Sequence, residues 1–298
     1  MNETAVTAGF QQPSIWTRAR KAAANVTGPV EGKIGLGILA VFIFVVIFGP
    51  SLAPYDPTKS AVGVPDQGPS SEFWLGTDGF GRDIWSRLLS GAGSVVAIPL
   101  LATMLAFALG GSGGMVAGYV GGRFDRVFST IVNVLLSVPT LLVVLIVVST
   151  AGGSPPVLVI SVGIVSAPRI ARVLRGATQG VAASEYVQAA QARGERTLSI
   201  VGREIAPNIA PTVFVEFAVR LTYAIIFIAT LNFLGLGAQQ PSPNWGLMVN
   251  ENRSTFVTDP IATLAPALAI GAVSIAVSLI ADAATQSKGV KASEEYTR

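Results

Sequence analysis

The 298 residues predict an all-α membrane protein of six transmembrane helices, and three observations carry that prediction. Hydrophobic residues make up 51% of the chain and charged residues 12%, against about 25% charged in a soluble domain. So little polar surface does not cover such a core in water. Apolar runs close to the roughly 20 residues that cross a bilayer recur along the chain. Lys and Arg gather in alternate connections between those runs, the asymmetry that membrane insertion produces. The chain contains neither Cys nor His. That removes disulfides, Cys/His metal sites, thiol nucleophiles and histidine general bases.

Taken in order, residues 1–32 form a polar segment without the apolar core and cleavage site of a signal peptide, so the chain is expected to be retained whole. Within it Ile15, Trp16, Arg18, Arg20 and Lys21 read either as a short helix lying in the membrane interface or as a basic tail. The spans are expected at 34–52, 95–118, 127–149, 156–168, 212–234 and 261–281, giving a transmembrane domain over 33–283 and a tail over 284–298. The fourth run is short and ends at Pro168-Arg169; it crosses only if its helix continues through Arg172 and Arg175, whose long stems can snorkel to the interface. Gly110, Gly114 and Gly118, four apart in the second span, present one small face for close helix packing, with a hinge as the alternative.

Six spans place Arg18, Arg20, Lys21, Lys33, Arg123, Arg126, Arg169, Arg172, Arg175, Arg193, Arg196, Arg203, Lys288, Lys291 and Arg298 on one side. Only Lys59, Arg82, Arg87 and Arg253 fall on the other, so both termini are expected in the cytoplasm. Three connections exceed the 2–8 residues usual between packed helices: 53–94 and 235–260 outside, and 169–211 inside.

These connections, with two charged residues in the fifth span, hold the candidate functional residues. Over 184–208 the chain reads SEYVQAAQARGERTLSIVGREIAPN. Ser184 is a plausible N-cap for a helix from Glu185 to Arg193, and Gly194 stops it by taking a left-handed conformation. A second helix follows over 197–205 and ends at Pro207. The pair makes a rigid elbow on which Ala189 and Ala190 would let a partner surface approach closely; a bland loop is the alternative. In the fifth span Glu216 and Arg220 are four apart on one face. Ionisable groups at that depth are candidates to line or gate a pathway, while a mutually neutralised pair is the structural alternative. In the first outer loop Asp78, Arg82, Asp83 and Arg87 alternate in sign, fitting either weak local ion pairs or a docking surface.

The 184–208 segment resembles the EAA loop of ABC importer permeases, patterned E-A-A, three residues, G, nine residues, I-x-L-P. Gln188, Ala189, Ala190, Gly194 and Pro207 fall on that spacing, with Gln188, Glu204 and Ala206 departing from the usual residue types. Glu185-Tyr186-Val187 and Pro207-Asn208 are similar to the dipeptide/oligopeptide branch. Leu75-Gly76-Thr77-Asp78, Gly81-Arg82-Asp83 and Ser86-Arg87 resemble the LGTDxxGRDxxSR signature of that branch's C-type subunit. Phe233-Leu234-Gly235-Leu236-Gly237, Asn244-Trp245-Gly246, and Gly118-Tyr119-Val120-Gly121-Gly122 followed by Asp125 are similar to further family segments.

The resemblance implies a type I importer permease fold. It implies ATPase coupling through Glu185, Tyr186, Gln188, Ala189, Ala190, Gly194, Pro207 and Asn208, and binding-protein docking near Asp78, Arg82, Asp83, Arg87 and Trp245. The implied partners are a second, homologous permease, two cytoplasmic ABC ATPase domains, an extracytoplasmic peptide-binding protein and the bilayer; no nucleic acid is expected. No G-x-x-x-x-G-K-[ST] phosphate loop occurs, so ATP and Mg²⁺ are expected on the partner ATPases and no cofactor on this chain, which is not itself an enzyme. Glutathione or nickel are alternative cargoes within the branch. A secondary transporter is the rival class, yet it would show paired repeats and several intramembrane carboxylates, and only Glu216 lies well inside a span.

Overall fold

The computed structural model describes residues 27–296, with side chains described through residue 285. The stretch around Trp16 lies outside the described residues. Those residues are helical apart from loops and one isolated antiparallel bridge between Thr77 and Asp83.

Helix α1 (Val30–Leu52) runs up one edge of the bundle. Gly35 and Gly49 let it lie against its neighbours: a Cβ on them would sit 2.9 Å from the Ala276 carbonyl oxygen and 2.6 Å from that of Leu89. Its other faces, including Val41, Phe44, Ile47 and Phe48, are exposed, as suits a helix against lipid. Helix α2 (Ile84–Ala106) starts eleven residues before the predicted second span and passes through a π-helical turn, Phe107–Gly111, into α3 (Ser112–Val120). The three form one 37-residue apolar crossing, Ile84–Val120.

The third span is broken. Helices α4 (Gly122–Ser137) and α5 (Thr140–Ala151) meet at 75°. Pro139 is the cause: a residue before proline is pushed out of the helical region, and Val138 is extended at φ −84°, ψ 130°.

The fourth span meets the condition set by the sequence. Helix α6 (Pro155–Ala182) runs unbroken through Pro168 and all three arginines. It is the most enclosed long helix, with 44% of its apolar window buried against 17% for α1. Arg172 and Arg175 find partners within the protein. They reach across to α4, where Arg172 donates to Asn133 at 2.9 Å and Arg175 makes two bonds to Asp125, one of 2.6 Å.

Next come α7 (Glu185–Ala192) and α8 (Thr197–Ile200). The chain then crosses a second π-helical turn, Val201–Ile205, into α9 (Ala206–Phe233). The predicted stop at Pro207 does not occur. The π turn bonds the Ala206 N–H to the Val201 carbonyl, five residues back, and so shifts the register where proline lacks a donor. Helix α10 (Trp245–Asn252) folds within the last long loop, and α11 (Pro260–Tyr296) closes the bundle well past residue 281.

Helices α3 and α6 touch backbone to backbone. A Cβ on Gly110, Gly114 or Gly118 would lie 2.0, 2.4 and 2.6 Å from the carbonyl oxygens of Ala167, Ala171 and Arg175. The four-residue glycine stripe meets a four-residue stripe on α6, as the packing reading of the sequence expects.

Candidate functional site

The bundle has an elbow end, holding α7 and α8, and a loop end, holding 53–83 and 234–259.

The elbow is built from inside. Val187 and Ala190 on α7 are fully buried against Ile200, Val201, Ile205 and Ile209, and Met115, Tyr119, Ala177 and Val181 pack on that cluster from α3 and α6. Gly194 takes φ +73°. Its N–H donates to Gln191 at 2.9 Å and the next N–H, of Glu195, donates to Ala190 at 3.2 Å. These two bonds are the Schellman pair that ends a helix on glycine. Ser184 occupies the N-cap position, but its hydroxyl donates backward to the Val181 carbonyl and caps nothing. Ala190 is likewise interior, so its small size serves the elbow's own core rather than a partner's approach. What faces outward is Glu185, Tyr186, Gln188 and Ala189, with Asn208 exposed on α9 and Pro207 half-buried. Leu198 joins that outer surface at 76% exposure. Sequence reading missed it, though it falls out of phase with Ile200, Val201 and Ile205.

At the loop end, the residues expected to dock a partner are buried. Asp78, Arg82, Asp83 and Arg87 are each no more than 1% exposed, and Trp245 is 3% exposed. Asp78 accepts from the backbone of Phe80 and Arg82 at 2.9 and 3.0 Å and from Arg82 Nε at 2.7 Å. Arg82 and Arg87 both donate to Glu251 Oε2 on α10, at 2.6 and 2.9 Å. Arg87 also donates to the Ser242 and Pro57 carbonyls. Asp83 caps α2 through the Ser86 N–H at 2.8 Å. Trp245 Nε1 donates to the Leu88 carbonyl at 2.9 Å, and its ring meets Phe42 of α1 edge-on. At Gly76 and Gly81, with φ of +79° and +66°, a Cβ would lie 2.3 and 2.4 Å from the carbonyl oxygens of Gln67 and Gly63. The motif residues are therefore an internal lock joining the first loop, α2 and α10. Their side chains offer little exposed surface, and they are not the weak exposed pairs of the sequence reading.

Beside the lock, Asp259 is 5% exposed, and Ile261 donates its N–H to the carboxylate at 3.3 Å. Burial first, then the nearby Asp66, pushes its carboxyl above the ordinary value. A raised folded-state value stabilises at low pH and loses that contribution as pH rises through it. Asp259→Asn is therefore expected to raise the thermal midpoint near neutral pH by about 2–4 °C, the equivalent of ~1 kcal/mol. The gain should shrink as pH falls towards the ordinary carboxylate range.

The third feature is an open cavity along α5, α6 and α9, where Arg169 and Tyr223 are exposed. Arg220 Nε and Glu216 Oε1 meet at 2.5 Å on α9, and Glu216 is buried. Arg220 borders a cavity of about 490 Å³ with Arg169 and Ser166 of α6, Thr140 of α5, and Tyr223 and Phe227 of α9. Arg169, taken from sequence as the start of an anchoring row at the inner end, sits in the middle of its helix instead.

Comparison with known proteins agrees with this architecture. Residues 110–287 match the family of binding-protein-dependent transport system inner membrane components, and residues 32–69 match the N-terminal transmembrane domain of oligopeptide transport permease C. The glutathione transport system permease protein GsiD of Pectobacterium atrosepticum is 38% identical over 217 residues, 73% of this chain and 72% of that protein. The dipeptide transport system permease protein DppC of Alkalihalophilus pseudofirmus is 33% identical, covering 84% of this chain and 82% of its own length. GsiD of Escherichia coli is 35% identical over 90% of this chain and 86% of its own length. Among solved structures, the methionine ABC transporter MetNI in an inward-facing conformation superposes with a TM-score of 0.54 at 16% identity, over 66% of this chain and 96% of the matched chain. That likeness shows the fold of a type I importer permease. Family match, relatives and fold converge: the chain belongs to the binding-protein-dependent transport system inner membrane components, as a permease of an ABC importer.

Proposed function

We propose that this chain forms half of the translocation pathway of a peptide or glutathione importer and receives the ATPase stroke through its elbow. The observation that carries the coupling role is the construction of the elbow itself. Its inner face is sealed to α3 and α6, while Glu185, Tyr186, Gln188, Ala189 and Leu198 point outward. A surface so held transmits a push as a rigid body, and it continues without a loop through the π turn into α9. Glu185 to Ala190, Gly194, Pro207 and Asn208 are the coupling residues in this reading, and Glu216 and Arg220 line the pathway. The charge asymmetry favours the elbow end and both termini in the cytoplasm. A second homologous permease completes the pathway, two ABC ATPase domains hold ATP and Mg²⁺, and an extracytoplasmic binding protein delivers the cargo. This chain binds no cofactor and hydrolyses nothing. The relatives favour a dipeptide, a longer peptide or glutathione as that cargo.

The test is reconstitution of the complete importer in proteoliposomes, with ATP hydrolysis and uptake of labelled dipeptide and glutathione read in parallel. Proline cannot adopt the φ of +73° at Gly194. Gly194→Pro is expected to leave ATP hydrolysis in place while uptake falls at least tenfold. Coupled uptake at the unmodified rate would remove the elbow from the mechanism.

A further inference from the structure

We propose that the open cavity between α5, α6 and α9 is a binding site for the carboxylate of the passing substrate, held between Arg169 and Arg220; this rests on the peptide or glutathione reading above. Two cations face the cavity and one acid, Glu216, answers them. Arg220 commits Nε to Glu216, and no partner for its terminal nitrogens is found among the described residues. Arg169 is exposed on this chain and has no hydrogen-bond or ion-pair partner among the described residues. An unanswered positive charge at membrane depth is costly and persists for a functional reason.

Depth argues for the occupant. From the helical rise, Thr140, Arg169 and Arg220 lie about 17–21 Å from the loop ends of α5, α6 and α9. In a hydrocarbon layer about 30 Å thick that is interior, too deep for a lipid headgroup phosphate in place at the surface. The break at Pro139 adds a second source of positive potential there. Thr140 begins α5, whose first turn has no side-chain cap, and the N–H groups opening a helix attract anions. Broken membrane helices present such ends to anionic substrate groups. Ser166 and Tyr223 supply hydroxyls, while Val162, Val165 and Phe227 give an apolar wall. A volume of about 490 Å³ falls within the range of small-molecule sites. The geometry suits a compact zwitterion whose carboxylate bridges the two guanidinium groups.

The experiment uses the complete importer in proteoliposomes, with the binding protein saturated. Uptake of alanyl-alanine is compared with uptake of its C-terminal amide; if glutathione is the cargo transported, glutathione is compared with its glycine-amide analogue. The carboxylate-to-amide ratio is then divided between wild type and variant, which cancels the binding protein's own preference. Arg169→Gln is expected to lower carboxylate uptake about tenfold, the scale of a hydrogen bond to a charged group, with much less effect on the amide. Arg169→Lys should restore most of the ratio, and ATP hydrolysis stimulated by the binding protein should persist in both. An unchanged ratio overturns the proposal. So does loss of the partner permease from purified Arg169→Gln complex, since that would assign Arg169 to an inter-subunit ion pair. If wild type transports neither peptide nor glutathione, the functional reading itself fails and this inference falls with it.

Discussion

Gly114→Leu is expected to abolish accumulation of the folded chain. The Cβ alone would lie 2.4 Å from the Ala171 carbonyl oxygen and 2.9 Å from its Cα. Backbone cannot rotate aside as a side chain does, so α3 and α6 would have to separate. Separation would open the buried cluster of Ala106, Ile170 and Leu174 and draw Asp125 away from Arg175. The cost falls in the exceptional class above about 4–5 kcal/mol. Fluorescence-detected size exclusion of detergent extracts measures it. Gly176→Leu is the control, because nothing lies within 4 Å of its Cβ position. A monodisperse Gly114→Leu peak at wild-type yield would overturn the packing account.

Glu251→Ala should be nearly as damaging, at the opposite end. It strips Arg82 and Arg87 of their shared acceptor while both remain buried. Removing one member of a buried ionic group costs about 3–5 kcal/mol, and here two buried arginines would be left with Asp78 alone. At ~2–4 °C per kcal/mol the thermal midpoint in detergent should fall by about 10 °C. Glu251→Gln keeps an acceptor oxygen but not the charge, so its midpoint should lie between the two. A midpoint within a degree or so of wild type for Glu251→Ala would show that the lock contributes little.

How legible these features were depends on the distance over which each is decided. Local chemistry was readable: the apolar runs, the left-handed stop at Gly194 and the spacing of Gly110, Gly114 and Gly118 all follow from near neighbours. The break at Pro139 was visible in principle, as proline restricts the preceding residue, yet the apolar run on either side hid it. Pro168-Arg169 and Pro207 misled in the opposite direction. Each is a helix breaker in isolation, and each is overruled by something distant or unusual: the packing of α6 against α3 and α4 in one case, a π turn in the other. The lock was beyond reach. Arg82 and Glu251 are 169 positions apart, and alternating signs within 78–87 pointed to local pairing instead. The charge that completes the cluster, Glu251, sits on α10, far along the chain from the residues it pairs with. Arg169 failed for a related reason, since its depth depends on where α6 ends, which its own neighbours do not decide.

The lock has a consequence for motion. It fastens the first loop, the start of α2 and α10 to one another, and Gly91 closes further against the Pro243 carbonyl, where a Cβ would sit only 2.0 Å away. Little slack is left at that end. The elbow end is held as well, its inner face sealed to α3 and α6. The subunit is thus stiff at both extremities. In the proposed importer, widening of the mouth on the locked side would fall to the seam with a second permease, where two stiff halves tilt apart.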